Sequence, residues 1–186
     1  MKKKIVVIRG KVTAGKSITS YELAKVLPGW IFVDPWKIKE MFEPLNLKDR
    51  TPLTKCSKEA MITIMKGVIK RMQINILVQE TILSYLKKTL KNYLKKYNYE
   101  IYSFFLDVDL KDAIKRDKKR EKPTMNIGRD VKTNEEWKKI KAQPEKEDII
   151  INTSNKNLEE VVKFILKKIK EKRQKHTRAY LVRRTL

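Results

Sequence analysis

One cysteine, Cys56, and one histidine, His176, are all that this chain of 186 residues holds of either type. The single cysteine excludes an internal disulfide, and the two scarcities together argue against a structural zinc site or a histidine-based catalytic dyad. Acid–base chemistry therefore falls to a carboxylate. Carboxylates are outnumbered: 22 acidic residues face 45 basic ones, a formal charge of +23. No apolar run approaches the roughly 18 residues of a membrane span. The short apolar run after the basic start MKKK cannot form a signal-peptide core, so the expected compartment is the cytoplasm. The length suffices for one full core and not for two ordinary domains. An excess of positive charge attracts polyanions. A lysine- and isoleucine-rich composition accounts for part of it as solvated surface, but such a bias does not by itself deplete Asp and Glu.

Glycine is also rare, with five in the chain, and two of them fall in Gly10–Ser17, GKVTAGKS. This octapeptide fits the pattern Gly-x-x-x-x-Gly-Lys-Ser/Thr, a phosphate-binding loop. The glycines permit a tight turn whose backbone N–H groups point inward, the lysine reaches the β and γ phosphates, and the hydroxyl ligates magnesium. The flanks agree. Ile5–Ile8 is a β-branched run suited to a buried parallel strand, and Ser17–Val26 has helical spacing. The expected ligands are ATP or another nucleoside triphosphate and Mg²⁺, held by Gly10, Thr13, Ala14, Gly15, Lys16, Ser17 and Ile18, with Ser17 on the metal.

The remaining segments alternate strand-like and helix-like, which predicts an α/β fold: a three-layer sandwich on a five-stranded parallel sheet with a small lid. Further strands are expected at Trp30–Val33, Ile74–Val78, Ile101–Leu106 and Ile149–Ile151. Helices are expected from Pro35, over Ser57–Arg71, Ile82–Tyr97, Asp109–Arg120, Thr133–Ile140 and Leu158–Lys172. The polar stretches Glu43–Lys55 and Glu121–Lys132, which contain prolines, read as loops. In the helix from Ile82, Leu83, Leu86, Leu90 and Leu94 form an apolar stripe, with Lys87, Lys88, Lys91 and Lys95 away from it. Residues 173–186 have no hydrophobic period and no acid, and read as a mobile basic tail after a phosphate-loop domain of residues 1–172.

In a parallel α/β sheet, ligands bind beyond the carboxyl ends of the strands. That edge collects Asp34 after the second strand, Glu80 and Thr81 after the third, and Arg116 and Arg120 on the helix after the fourth. Asp34 suits a general base that accepts the proton of an attacking hydroxyl, and Asp-Pro is equally a good helix start. Lys37 suits an acceptor phosphate, Glu80 the magnesium shell, and Thr81 either the acceptor or a helix cap. Arg116 and Arg120, four apart, share one helix face and suit a lid that neutralises charge on the transferred group; Arg129 is a further candidate on the substrate side. Trp36 and Tyr85 suit stacking on a terminal base or packing in the core.

These segments resemble small P-loop kinases that phosphorylate hydroxyls, particularly the kinase domain of phage-type polynucleotide 5′-hydroxyl kinases. RGKVTAGKS, FVDPWK, QETIL and FFLDVDLKDAIKRDKKR carry the resemblance, which runs to about Lys172. It implies that Asp34 is the base, that Lys37 contacts the acceptor phosphate and that Arg116 and Arg120 contact ATP. The family usually has Arg where Lys37 stands and Asp where Glu80 stands. The chain is also similar to chloramphenicol phosphotransferase-like and zeta-toxin-like kinases, with AGKS and VLPGW nearer to the antibiotic kinases. The expected activity is ATP-dependent phosphorylation of a hydroxyl, with the 5′-hydroxyl of RNA or DNA as first choice of acceptor. A nucleoside, sugar or antibiotic hydroxyl is the alternative, and a non-catalytic RNA-associated nucleotide binder the second.

Overall fold

The computed structural model describes residues 2–41, 51–79, 82–119, 127, 131, 133–139 and 142–182, with side-chain surroundings through residue 171. Five strands form one sheet in the order β2-β3-β1-β4-β5: β1 Lys3–Gly10, β2 Ile31–Val33, β3 Ile76–Gln79, β4 Tyr99–Asp107 and β5 Asp148–Asn152. Every pairing is parallel. The central strands are apolar on both faces because both are covered, so β1 and β3 read as continuous hydrophobic runs. Val6, Ile8, Leu77 and Phe104 pack against α1 (Lys16–Val26), α5 (Leu110–Lys118), α6 (Asn134–Lys138) and α7 (Leu158–Val182). Ile5, Val7, Ile76 and Val78 face α3 (Thr51–Gly67) and α4 (Leu83–Lys96). The short helix α2 (Pro35–Glu40) follows β2 at the carboxyl edge.

Apart from shifts of one or two residues at other element ends, three helical segments differ from the sequence-based expectation. Thr51–Lys55, expected as loop, is the first part of α3. Pro52 does not oppose this, since a proline in the first helical turn lacks only an N–H that would have no intrahelical partner, and Leu53 is buried there. The end of that segment, Val68–Met72, widens into a π turn closed by Gln73 N–H donating to the Val68 carbonyl at 2.9 Å, and both Val68 and Ile69 stay buried. The last helix continues through Val182 instead of stopping at Lys172. No glycine or proline follows Pro144, so nothing in the sequence ends it earlier. Most of Glu121–Lys132 lies outside the described residues. Within it Ile127 and Val131 are buried in the core, and Ile127 N–H donates to the buried Asp117 carboxylate at 3.2 Å.

A buried ionic network ties the sheet to α4. Arg9 pairs with Asp148, lies 3.2 Å from Glu145 and donates to the Gln143 carbonyl at 3.0 Å. Ile82, at the start of α4, offers no side-chain cap; the Glu145 carboxylate accepts instead from Leu83 N–H at 2.8 Å and Ser84 N–H at 2.9 Å. Asp148 has a fully buried side chain, so removing its cation strands a charge. Arg9→Met is expected to cost about 3–5 kcal/mol in urea unfolding, and adding Asp148→Leu to recover part of that loss.

Candidate active site

Gly10 ends β1 where the chain passes so close to β4 that a Cβ would lie 2.1 Å from the Leu106 carbonyl oxygen, at φ +140°. Only glycine fits. Lys11 N–H then donates to that same carbonyl at 3.1 Å, Thr13 takes φ 61°, and Gly15 at φ 90° starts α1. The loop thus turns from strand into helix, with Lys11 and Ala14 N–H spent on the Leu106 and Lys11 carbonyls, and presents the helix N-terminus, a site suited to an anion. The Lys16 ammonium lies back over the loop, donating to the Lys11 carbonyl at 2.7 Å. Lys11 is itself held from below, 2.8 Å from Asp107 and over the Trp137 ring at 5.3 Å. Ser17 is exposed in the first turn of α1.

Two clefts flank the loop. One, of about 200 Å³, lies between Thr13, Gly15 and Ile18 on one side and Arg116, Lys156 and Asn157 on the other. Arg116 crosses its wall: the guanidinium donates to the Thr153 carbonyl at 2.6 Å, the Thr153 hydroxyl at 3.1 Å and the Thr13 carbonyl at 3.4 Å. Thr153 in turn donates to the Asp107 carbonyl at 2.9 Å, with Ala14 O at 3.3 Å. Arg116, expected on a lid, is therefore fastened to the phosphate loop itself. The second cleft, of about 120 Å³, is walled by Lys16, Trp36, Lys39, Thr54, Lys58 and Gln79. Trp36 is 54% exposed there with the Lys39 ammonium 5.1 Å above its ring, whereas Tyr85 packs against the core.

Asp34 closes β2 beside this second cleft and is buried. One carboxylate oxygen caps α2, accepting from Trp36 N–H at 2.9 Å, and the other lies 3.4 Å from the Tyr21 hydroxyl. Burial first, and then the Asp34 charge, raise the Tyr21 phenol above its ordinary pKa, so it stays a donor toward Asp34 at neutral pH. Tyr21 and Thr153 escaped the sequence reading, because neither residue type nor spacing marks them; α1 and β5 bring them in. Lys37 does not line the cleft. It is exposed and pairs with Glu40 at 2.7 Å, which raises its pKa, while Lys39 and Lys58 line the cleft.

Glu80, Thr81, Arg120 and Arg129 lie outside the described residues. Among the described residues no three His, Cys, Asp or Glu side chains cluster as a metal site. Oxygen donors are nevertheless present. The Gln79 amide oxygen, at the carboxyl end of β3, is buried without a hydrogen-bond partner among the described residues, and Gln79 lines the same cleft as Lys16. With the Ser17 hydroxyl it fits magnesium, which keeps waters and substrate phosphates and needs few protein ligands.

No family model and no curated protein sequence matches this chain. Solved structures do. A candidate kinase from Chloroflexus aurantiacus superposes with a TM-score of 0.69 at 12% identity, covering 91% of this chain and 97% of the other. The fold is that of the P-loop kinases. The Mycobacterium tuberculosis APS kinase in complex with AMPPNP and APS matches with a TM-score of 0.60 at 13% identity over 91% of this chain and 98% of that one. A chain of the Pnkp1/Rnl/Hen1 RNA repair complex matches with a TM-score of 0.55 at 17% identity over 73% of this chain and 45% of its own length. Among the described residues no helix is long and apolar enough to cross a membrane.

Proposed function

We propose that this protein is a magnesium- and ATP-dependent kinase that transfers the γ-phosphoryl group to a hydroxyl, the 5′-hydroxyl of a polynucleotide being the favoured acceptor. The observation that carries this reading is the position of one buried carboxylate, Asp34, at the sheet edge that also holds the phosphate loop, with the cleft of Lys16, Trp36 and Gln79 beside it. The acceptor hydroxyl enters that cleft and gives its proton to Asp34 as its oxygen bonds to the γ-phosphorus. The bond from that phosphorus to the β-γ bridging oxygen breaks, and ADP leaves. Lys16 and the loop amides hold the charge that spreads over the phosphates. Magnesium, where bound, would be held by Ser17 and Gln79, with Glu80, the next residue in the sequence, as a further candidate, and would supply further charge neutralisation. Tyr21 orients Asp34.

A polynucleotide end is favoured by the pairing of an exposed tryptophan face, suited to a base, with Lys39 and Lys58, suited to phosphates. The net charge of +23 acts in the same direction, and Arg173, Lys175, Arg178, Arg183 and Arg184 near the end of the chain extend it as a proposed basic tail. One observation favours a small alcohol instead: about 120 Å³ is room for little more than one sugar.

Labelled ATP offered with 5′-hydroxyl RNA, 5′-hydroxyl DNA, nucleosides and phenicol- or aminoglycoside-type alcohols separates these readings. Label on the oligonucleotides, lost steeply as salt rises, is the expected result. Label on a small alcohol that is insensitive to salt establishes the second reading, and label on nothing leaves a nucleotide-binding module. Arg116→Ala is expected to raise the ATP dissociation constant about tenfold or more by calorimetry, since hydrogen bonds from a charged donor each contribute about 1.5–3 kcal/mol. Arg116→Lys, without the planar fork, restores little of it.

A further inference from the structure

We infer that the lysine face of α4 is a second polynucleotide-binding surface, remote from the phosphate loop and engaging the acceptor strand away from its reacting end. The segment 83–96 carries Lys87, Lys88, Lys91, Lys95 and Lys96 and no acidic residue. Lys87, Lys88, Lys91 and Lys95 line one shallow, wide-open cleft of about 590 Å³ together with Lys2 from the start of the chain and Asn98 and Tyr99 at the amino end of β4. Lys87 pairs with Glu147, whereas Lys2, Lys88, Lys91 and Lys95 have no ion-pair partner among the described residues.

Solvation alone explains this poorly. Like charges at i,i+4, here Lys87–Lys91 and Lys91–Lys95, each destabilise a helix by about 0.2–0.5 kcal/mol. The helix dipole favours cations only in the last turn, which accounts for Lys95 and Lys96 and leaves Lys87, Lys88 and Lys91 without that support. An anion bound in the cleft offsets the repulsion among these lysines. Its shape and lining select the class of partner. The lysines run along α4 for about 12 Å, at about 1.5 Å per residue, which suits a chain of phosphates better than one anion. No large exposed hydrophobic residue lies between Leu83 and Tyr99 to enter a bilayer, so a membrane surface fits less well. The cleft opens at the amino ends of β1 and β4, roughly 25 Å from the phosphate loop at about 3.3 Å per residue along β1.

This surface takes its choice of partner from the polynucleotide reading above, and the test keeps the two apart. A fluorescent single-stranded 5′-hydroxyl oligonucleotide long enough to span the molecule is titrated, without ATP, into the full chain and into the triple variant Lys88→Gln, Lys91→Gln, Lys95→Gln, with melting curves to check the fold. The variant is expected to bind on the order of tenfold more weakly and to lose about 2 from the slope of log affinity against log salt, at about 0.7 per released counterion. Phosphorylation of a dinucleotide is expected to stay unchanged. Equal slopes for the two proteins overturn the inference, as does a variant that loses binding to phosphatidylserine vesicles while holding the oligonucleotide normally. Normal oligonucleotide binding through these lysines with no transfer to any hydroxyl leaves this surface standing and removes the kinase reading. A variant that fails to melt cooperatively is replaced by the single substitutions, whose slopes should each fall by about 0.7.

Discussion

Asp34→Asn is expected to lower phosphoryl transfer by about 10²–10⁴-fold while leaving the affinity for ATP within about a factor of two. The substitution is chosen for what it keeps. Asn caps a helix about as well as Asp, so the hydrogen bond from Trp36 N–H survives and α2 stays in place. What disappears is the basicity of the oxygen that faces Tyr21. Asp34→Ala removes both and adds about 1 kcal/mol of lost capping, so comparing the two variants separates the structural share from the chemical one. Single-turnover transfer with saturating ATP, set beside ATP binding by calorimetry, makes the measurement. Normal turnover in Asp34→Asn removes the proposed base.

The second large effect concerns stability. Gly10→Ala is expected to cost on the order of 4–5 kcal/mol, among the largest effects of single substitutions. The methyl group would lie 2.1 Å from the Leu106 carbonyl oxygen, 2.7 Å from its nitrogen and 2.8 Å from its carbonyl carbon, all backbone, at φ +140°. Neither strand can yield without breaking the pairing of β1 with β4, which runs from Lys3 to Gly10. Gly29→Ala is the control. Its φ is +76° and nothing lies within 4 Å, so only the left-handed strain of about 1–2 kcal/mol applies. Urea midpoints of the two variants should differ accordingly, and equal losses would mean that the close approach to Leu106 is relieved elsewhere.

Much of this architecture is legible in local sequence, for a physical reason. The strand, loop and helix at the start are specified by neighbours: β-branched residues before Gly10, two glycines in the turn, and the helix formers Glu22, Leu23, Ala24 and Lys25 beyond it. Asp34 is legible in the same way, as the residue between an apolar run and Pro35, and of its two readings the helix cap is the one seen directly, its carboxylate accepting from Trp36 N–H at the start of α2. The features that escaped depend on partners far along the chain. Glu145 caps a helix that begins 62 residues earlier, and Arg116 reaches Thr13 across 103 residues. Lysines are so numerous that spacing could not choose among them, and Lys39, not Lys37, lines the cleft because α2 turns it inward. Pro52 misled as a loop signal because a proline at a helix start and a proline in a loop look alike without the packing of Leu53.

The central claim is that the phosphate loop and Asp34 form the two halves of one transfer site. The most direct test is to incubate the protein with γ-labelled ATP and a 5′-hydroxyl oligonucleotide, digest the product to mononucleotides and locate the label. Label on the 5′-phosphate of the terminal nucleotide with wild-type protein, and its loss with Asp34→Asn, is the predicted result. Label that is released only as inorganic phosphate, or that is transferred equally well by Asp34→Asn, would contradict it.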